Sequence, residues 1–356
     1  MKTFKKIFKP LTLKEIGKKV TSQIIECLKN GTIPWKSGLL GQASSMVNCN
    51  GVAYRGVNQW LTISKAILEG YKSNRWITFN QCRKEGGSIV KGSKGLSLVK
   101  WLFKYRPDKD CSACGGDAKE KLDCPVECGR TIPIPKTFTV FNMEQTTIFD
   151  AKVHVPEAPK VEDVEVNVGM AHQLVSDWNN VVPIKYGFSN NSSPYYAPSS
   201  DFINIPFGDS VSWVNEEILH KVTFHEAMHS TGHKSRLNRF DKATLDGVGA
   251  GQLHSQGQYS AEELVAEMGS QILADFCNFK LDHIENTSAY INSWIKVLKN
   301  NPEWVIWASS RAVKGADMII DNSLKIAKKE LKAGDTTAGG GLVIGVASHP
   351  DFPKAN

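Results

Sequence analysis

The five residues His225-Glu226-Ala227-Met228-His229 constrain this chain's fold more than any other stretch. Two histidines four positions apart share a face on a helix, where both can reach a single metal ion. The glutamate after the first histidine then stands where a base can take a proton from a water activated at the ion. The surrounding sequence supplies the helix: Ser212 to Ser230 carries Val214, Ile218 and Val222 in a stripe that runs into His225 and His229. That continuity predicts that the two histidines lie on the core-facing side.

A third protein ligand is expected from the helix Ser260 to Phe276, which opens on a serine followed three residues later by Glu263, a capping-box pattern. The arrangement resembles the gluzincin group of metallopeptidases, in which a glutamate on a second helix completes the site and an acid four residues on supports a ligand histidine. The resemblance implies Glu263 as third ligand and Glu267 as the supporting acid. Glu262 points about 100° away from Glu263 on a helix and is not the expected ligand. His233 lies four residues beyond His229, but Gly232 ends the helix first. It is expected behind the ligands or on the substrate side. His225, His229 and Glu263 leave one position for water, which suits catalysis, with Glu226 as the base; the same ligands would also serve a fold held by metal without turnover.

At 356 residues the chain is long enough for two domains. A hydrophobic fraction of 41% is ample for packed cores. No run approaches the ~18 apolar residues of a membrane span, and the basic start, Met1 to Lys19, has no apolar centre of an export signal. A cytoplasmic protein without a membrane partner is expected. The net charge of +7 is unevenly spread: residues 1–150 hold 25 Lys+Arg against 12 Asp+Glu, a balance of +13, and residues 151–356 hold 18 against 24, a balance of −6. The acidic, proline-containing stretch 151–165 reads as a linker. It divides a first domain, 1–150, from a second, 166–325, followed by a Gly-rich tail, 326–356.

The first domain reads as α+β. Helices are expected at Leu13 to Leu28, Trp60 to Leu68 and Trp76 to Glu85, and strands at Leu96 to Phe103 and Thr137 to Phe141. Between those strands, at about 106–130, stand Cys111, Cys114, Cys124 and Cys128, two thiolate pairs that resemble a small zinc ribbon. A second ion there would fold a tip too small for a core. The second domain is expected to hold helices at Val166 to Trp178, Tyr290 to Leu298 and Trp304 to Ile320, with short strands at Val182 to Tyr186, Tyr195 to Ala197 and Phe202 to Ile205.

Aromatic residues in the basic domain sit beside cations: Trp35-Lys36, Tyr54-Arg55, Arg75-Trp76 and Lys100-Trp101, with Lys91 and Lys94 in a Gly/Ser-rich turn. Charge that tracks a backbone and rings that stack on bases are what single-stranded nucleic acid binding requires. The competing reading makes the rings core and the lysines solubilising.

Many short motifs fall in a characteristic order: Gly31-Thr-Ile-Pro-Trp35, Tyr54-Arg-Gly-Val-Asn58, Trp76-Ile-Thr-Phe-Asn-Gln81, Val90-Lys-Gly-Ser-Lys-Gly95 and Thr139-Val-Phe-Asn-Met-Glu-Gln145, then Asp201-Phe-Ile-Asn-Ile-Pro206, His225 to His233, Ser235-Arg-Leu-Asn-Arg239 and Tyr259 to Glu267. From about Val20 to Ile320 the chain resembles the ArdC-type antirestriction proteins. The resemblance implies an N-terminal single-stranded-DNA-binding domain, Asn58 included in its surface, and a C-terminal zincin-like domain with Zn2+ at His225, His229 and Glu263. It further implies a protein of a conjugative plasmid or phage that protects incoming DNA, acting on a restriction enzyme or a DNA-attached protein. The alternative is a protein that shields single strands and whose metal site is structural. The four-cysteine insertion and the tail depart from the family pattern.

Overall fold

The computed structural model describes residues 12–36, 46–149 apart from 117, 118, 120–122, 125 and 127, then 167–188, 193–206, 213, 215–240, 260–279 and 288–334. The expected linker at 151–165 lies outside them. The fold is α+β with two compact units: residues 1–163 with 254–264 and 282–310, and residues 164–253 with 265–281 and 311–356. Both units thus draw on discontinuous pieces of sequence.

In the first unit, α1 (Leu13–Lys29) begins at a capping box between Thr12 and Glu15. It buries Ile16, Val20, Ile24 and Leu28, the stripe that the spacing predicts. Helix α2 (Val57–Glu69) ends on Gly70 in the left-handed conformation. Strands β1 (Val47–Asn48), β2 (Arg75–Thr78), β3 (Leu96–Arg106) and β4 (Arg130–Asn142) form one sheet in the order β1-β2-β4-β3. Residues 75–78 correct the expectation of a helix from Trp76. The helix α3 (Phe79–Lys84) starts only after Thr78, whose side chain and Gln81 form a second capping box. Strands β3 and β4 run antiparallel over eleven paired positions, from Leu96 opposite Val140 to Arg106 opposite Arg130. Helix α7 (Ser288–Asn300) also belongs to this unit: Trp294 meets Trp35 edge to face at 5.7 Å, and the Thr21 hydroxyl donates to the Pro302 carbonyl at 2.5 Å.

In the second unit, α4 (Val168–Asn179) precedes a three-stranded sheet, β5 (Ile184–Tyr186), β6 (Tyr195–Ala197) and β7 (Phe202–Ile205). Its order is β5-β7-β6, with β5 parallel and β6 antiparallel to the central strand. Helices α5 (Glu216–Ser230), α6 (Ala261–Phe276) and α8 (Trp304–Gly334) complete the architecture. Helix α8 runs fourteen residues past the expected end at Ile320, because no glycine or proline interrupts 321–333. The rest of the expected tail, 335–356, lies outside the described residues. Buried Asp177 ties α4 to α8: it accepts from the Ser323 hydroxyl, while its own carbonyl accepts from Asn322 at 3.1 Å. Buried Lys221 on α5 donates to Gln271 on α6 at 2.9 Å, and Gln271 donates to Asp275 at 2.8 Å.

Candidate functional site

Asn215 caps α5, accepting from the Ile218 amide at 2.8 Å. The helix therefore starts at Glu216, not Ser212, and positions 212 and 214 fall outside the described residues. Three turns on, the helical repeat places His225 and His229 side by side, Nε2 to Nε2 at 3.2 Å. Glu263 comes from the first turn of α6, where its amide donates to the Ser260 hydroxyl at 3.1 Å. The unit boundary at 264 falls inside this one continuous helix, so Glu263 rides on the same element as Val265–Phe276. Ligand atoms of His225, His229 and Glu263 all lie within 4.8 Å of one another.

The donor set suits a divalent ion. Ligand atoms about 2.0–2.2 Å from a tetrahedral zinc lie roughly 3.3–3.6 Å apart, close to the histidine pair's separation. All three residues are half-buried, while Leu219, Thr223, Phe224, Ala227 and Met228 take the core side of α5. This corrects the expectation that the histidines face the core. The 3.6-residue period shows which residues share a face, not which way that face looks. Glu226 is 7% exposed, and Glu267, one turn past Glu263, is half-buried.

His233 is placed elsewhere. Its Nδ1 lies 2.7 Å from the Ser235 hydroxyl and 3.7 Å from Asp201, and it is not part of the ligand group. It joins a brace at the C-terminal end of α5. Arg236 donates to the Ser230 carbonyl at 2.7 Å, to both Asp201 carboxylate oxygens and to the Tyr196 hydroxyl at 3.2 Å. Burial alone would raise Asp201, but hydrogen bonds from Arg236 and Tyr196 and the Arg236 charge outweigh it and hold the carboxyl below its ordinary value. Arg239, buried, donates to Thr231 and to the Met228 carbonyl, both at 2.7 Å, where a cation also meets the negative end of the helix dipole. Sequence reading assigned no role to Tyr196, Asp201, Arg236 or Arg239. Their signal lay in the stretches Asp201–Pro206 and Ser235–Arg239, each only a fragment of a network that the fold assembles.

Cys111, Cys114, Cys124 and Cys128 converge at the tip of the β3–β4 ribbon, their sulfurs within 4.8 Å. The Cys111–Cys124 and Cys114–Cys128 separations, 3.7 and 3.5 Å, approach the edge of about 3.8 Å expected for thiolates around a tetrahedral zinc. Amide donation from Cys128 is the main influence that pulls Cys124 down to about 7, although burial opposes it, and the lowered value favours the thiolate form that binds metal. Gly129 has a φ of 81°, and a Cβ there would lie 2.2 Å from the Arg106 carbonyl oxygen, so the tip closes only on glycine.

The expected nucleic-acid residues divide sharply. Trp35 and Trp76 are 0% and 1% exposed, so their rings are core and offer no stacking surface. Asn58 clasps β3, donating to the Val99 carbonyl at 2.7 Å and accepting from its amide at 2.8 Å. Tyr54 and Arg75 are half-buried, whereas Arg55, Lys91, Lys94 and Lys100 are exposed. The Lys36 side chain lies outside the described residues.

Comparison with known proteins matches two successive stretches of the chain. A family described as the N-terminal domain of anti-restriction factor ArdC matches residues 14–141, and one described as zincin-like metallopeptidase matches residues 179–311. A DNA primase TraC of Escherichia coli is 29% identical over 313 residues; the match covers 86% of this chain and 27% of the primase, so the chain spans about a quarter of that relative's length. The crystal structure of the antirestriction protein ArdC from plasmid R388, metal-free, superposes with a TM-score of 0.59 at 26% identity, covering 87% of this chain and 98% of that one. Its Mn(II)-bound form gives 0.58 at the same identity, covering 86% and 98%. The chain thus joins an ArdC-type N-terminal domain to a zincin-like metallopeptidase domain, and its fold is similar to that of the plasmid R388 antirestriction protein.

Proposed function

We propose that this protein binds single-stranded DNA through its N-terminal domain and cleaves protein at a metal-dependent site in its C-terminal domain, protecting the incoming DNA of a plasmid or phage inside the cell's cytoplasm. The convergence of His225, His229 and Glu263 beside Glu226 carries this reading. Three protein ligands, all half-buried, match a catalytic site better than a closed structural one. Two imidazoles and a carboxylate favour Zn2+, and the Mn(II)-bound relative supports a divalent ion in general. When bound, the ion acts as a Lewis acid that makes water a nucleophile near neutral pH and polarises a peptide carbonyl.

The chain's own groups do the rest. The Glu226 carboxylate, largely shielded from solvent, takes the proton from the attacking water and passes it to the leaving amine. Glu267 orients a ligand imidazole, and His233, held by Ser235 and Asp201, stands toward the substrate. A second Zn2+ in the four-cysteine tip is structural, since four thiolates leave no open position.

The test compares wild type with Glu226→Ala for cleavage of a purified restriction enzyme or DNA-attached protein, for metal content and for protection of transferred DNA. The variant keeps its metal, loses cleavage and loses protection. Full protection by the variant would remove proteolysis from the mechanism and leave strand shielding as the function.

A further inference from the structure

We propose that the outer half of the β3–β4 ribbon is a docking surface for a single nucleic-acid strand, its phosphates following the face that carries Lys100, Lys104, Arg106, Arg130 and Lys136. This rests on the reading of the N-terminal domain as DNA-binding and gives it a location. The antiparallel register puts Lys100 opposite Lys136 and Arg106 opposite Arg130, with Lys104 opposite Ile132 between them. Side chains alternate along a strand, so these five cations share one face.

Like charges directly opposite each other destabilise a ribbon, and this one holds two such pairs. Neither strand contains an acid: 96–106 and 130–142 have no Asp or Glu. None of the five cations forms an ion pair among the described residues. Local rules broken without internal compensation mark a surface shaped for something outside the chain. Here the complement is a polyanion.

The opposite face says which polyanion. Trp101 and Phe103 lie there across from Pro135 and Pro133, and are 39% and 72% exposed. Strand β3 is the edge of the sheet. A single strand lying along it can set its phosphates against the cations of one face and turn unstacked bases over the edge onto the rings of the other, which a duplex with covered bases cannot do. A peptide added as a further strand is a poor fit. Beyond Val140 the outer edge of β4 is not paired to β2, and Pro133 and Pro135 remove two backbone donors from it.

The experiment titrates the full-length protein against a labelled oligothymidylate over a salt series, for wild type and for Lys100→Gln/Lys104→Gln/Lys136→Gln, with a duplex of equal length as competitor. The triple variant binds about tenfold or more weakly at low salt, and its slope of log affinity against log salt falls by about 2, three phosphates at roughly 0.7 each. Its melting temperature does not fall, because the substitutions relieve like-charge contacts rather than remove packing. Phe103→Ser weakens the single strand and leaves the duplex unaffected. Unchanged affinity and slope in the triple variant, with wild type binding normally, would overturn the ribbon proposal alone. Failure of the wild type to bind the oligonucleotide would overturn the DNA-binding reading itself, and a preference for duplex would overturn the single-strand assignment.

Discussion

Met228 fills the space that a side chain at Gly269 would need: a Cβ on Gly269 would stand 2.1 Å from the Met228 Cε and 2.6 Å from its sulfur. On its other side Gly315 of α8 makes a similar approach, 2.5 Å from the same Cε. The residue just before the second histidine of the motif is thus gripped between two helices at glycines. That grip sets how near α6, and Glu263 with it, comes to α5.

Gly269→Ala is therefore expected to cost about 1–3 kcal/mol by overpacking and to weaken metal binding at His225, His229 and Glu263. Met228 has a flexible side chain, so Met228→Ala should recover part of the loss. A double-mutant cycle on unfolding midpoints and metal affinity measures the coupling; additive costs would refute it.

Arg236→Lys retains the charge but not the fork that joins Ser230, Asp201 and Tyr196. Urea denaturation should show a loss of about 1–3 kcal/mol. Metal binding should survive in the folded fraction, since none of these residues belongs to the ligand group.

Cys111→Ser should remove one equivalent of bound metal, leaving the equivalent at the histidines and the proposed cleavage intact. Amides of the ribbon tip should exchange with solvent faster, because a loop that small has no apolar core to replace the ion. Elemental analysis and hydrogen exchange read the two effects separately.

His220, 1% exposed with its ring 4.4 Å from that of His172, is pushed down to about 3, first by burial and then by the His172 charge. The folded chain keeps it neutral where the unfolded chain, with an ordinary value near 6.5, binds a proton. Its contribution is complete above about pH 6.5 and is lost as pH falls toward 3. Between pH 7 and 5 the loss is about 2 kcal/mol. His220→Phe, placed between Phe224 and Phe279, should flatten that part of the stability profile.

What could be read from sequence followed from local periodicity. His225 and His229 share a face because a helix dictates it, and Glu263 follows from the second helix. The four cysteines meet because two strands of matched length bring their loop together. Adjacency misled in the basic domain. Arg75 and Trp76 are neighbours in sequence, yet on a strand they point to opposite sides, and Trp76 goes to the core. The Thr78–Gln81 capping box, present in the sequence, would have moved the start of α3 to its proper place. The Arg236–Asp201–Tyr196 brace joins residues up to forty positions apart, and no local pattern announces it.

The pairing of Trp35 with Trp294 has a consequence in time. A ribosome emits the first domain's sequence well before Trp294 and Pro302 exist, so the core around Trp35 and Thr21 stays open through most of synthesis. Contacts separated by 281 positions close late and at a high entropic cost. A fragment ending near residue 150 would be frozen in that unfinished state, with the Trp35 ring uncovered, although it is 0% exposed in the whole protein. The two domains of this chain are therefore finished together: the part named for its N-terminus is completed only when the later helices have been made.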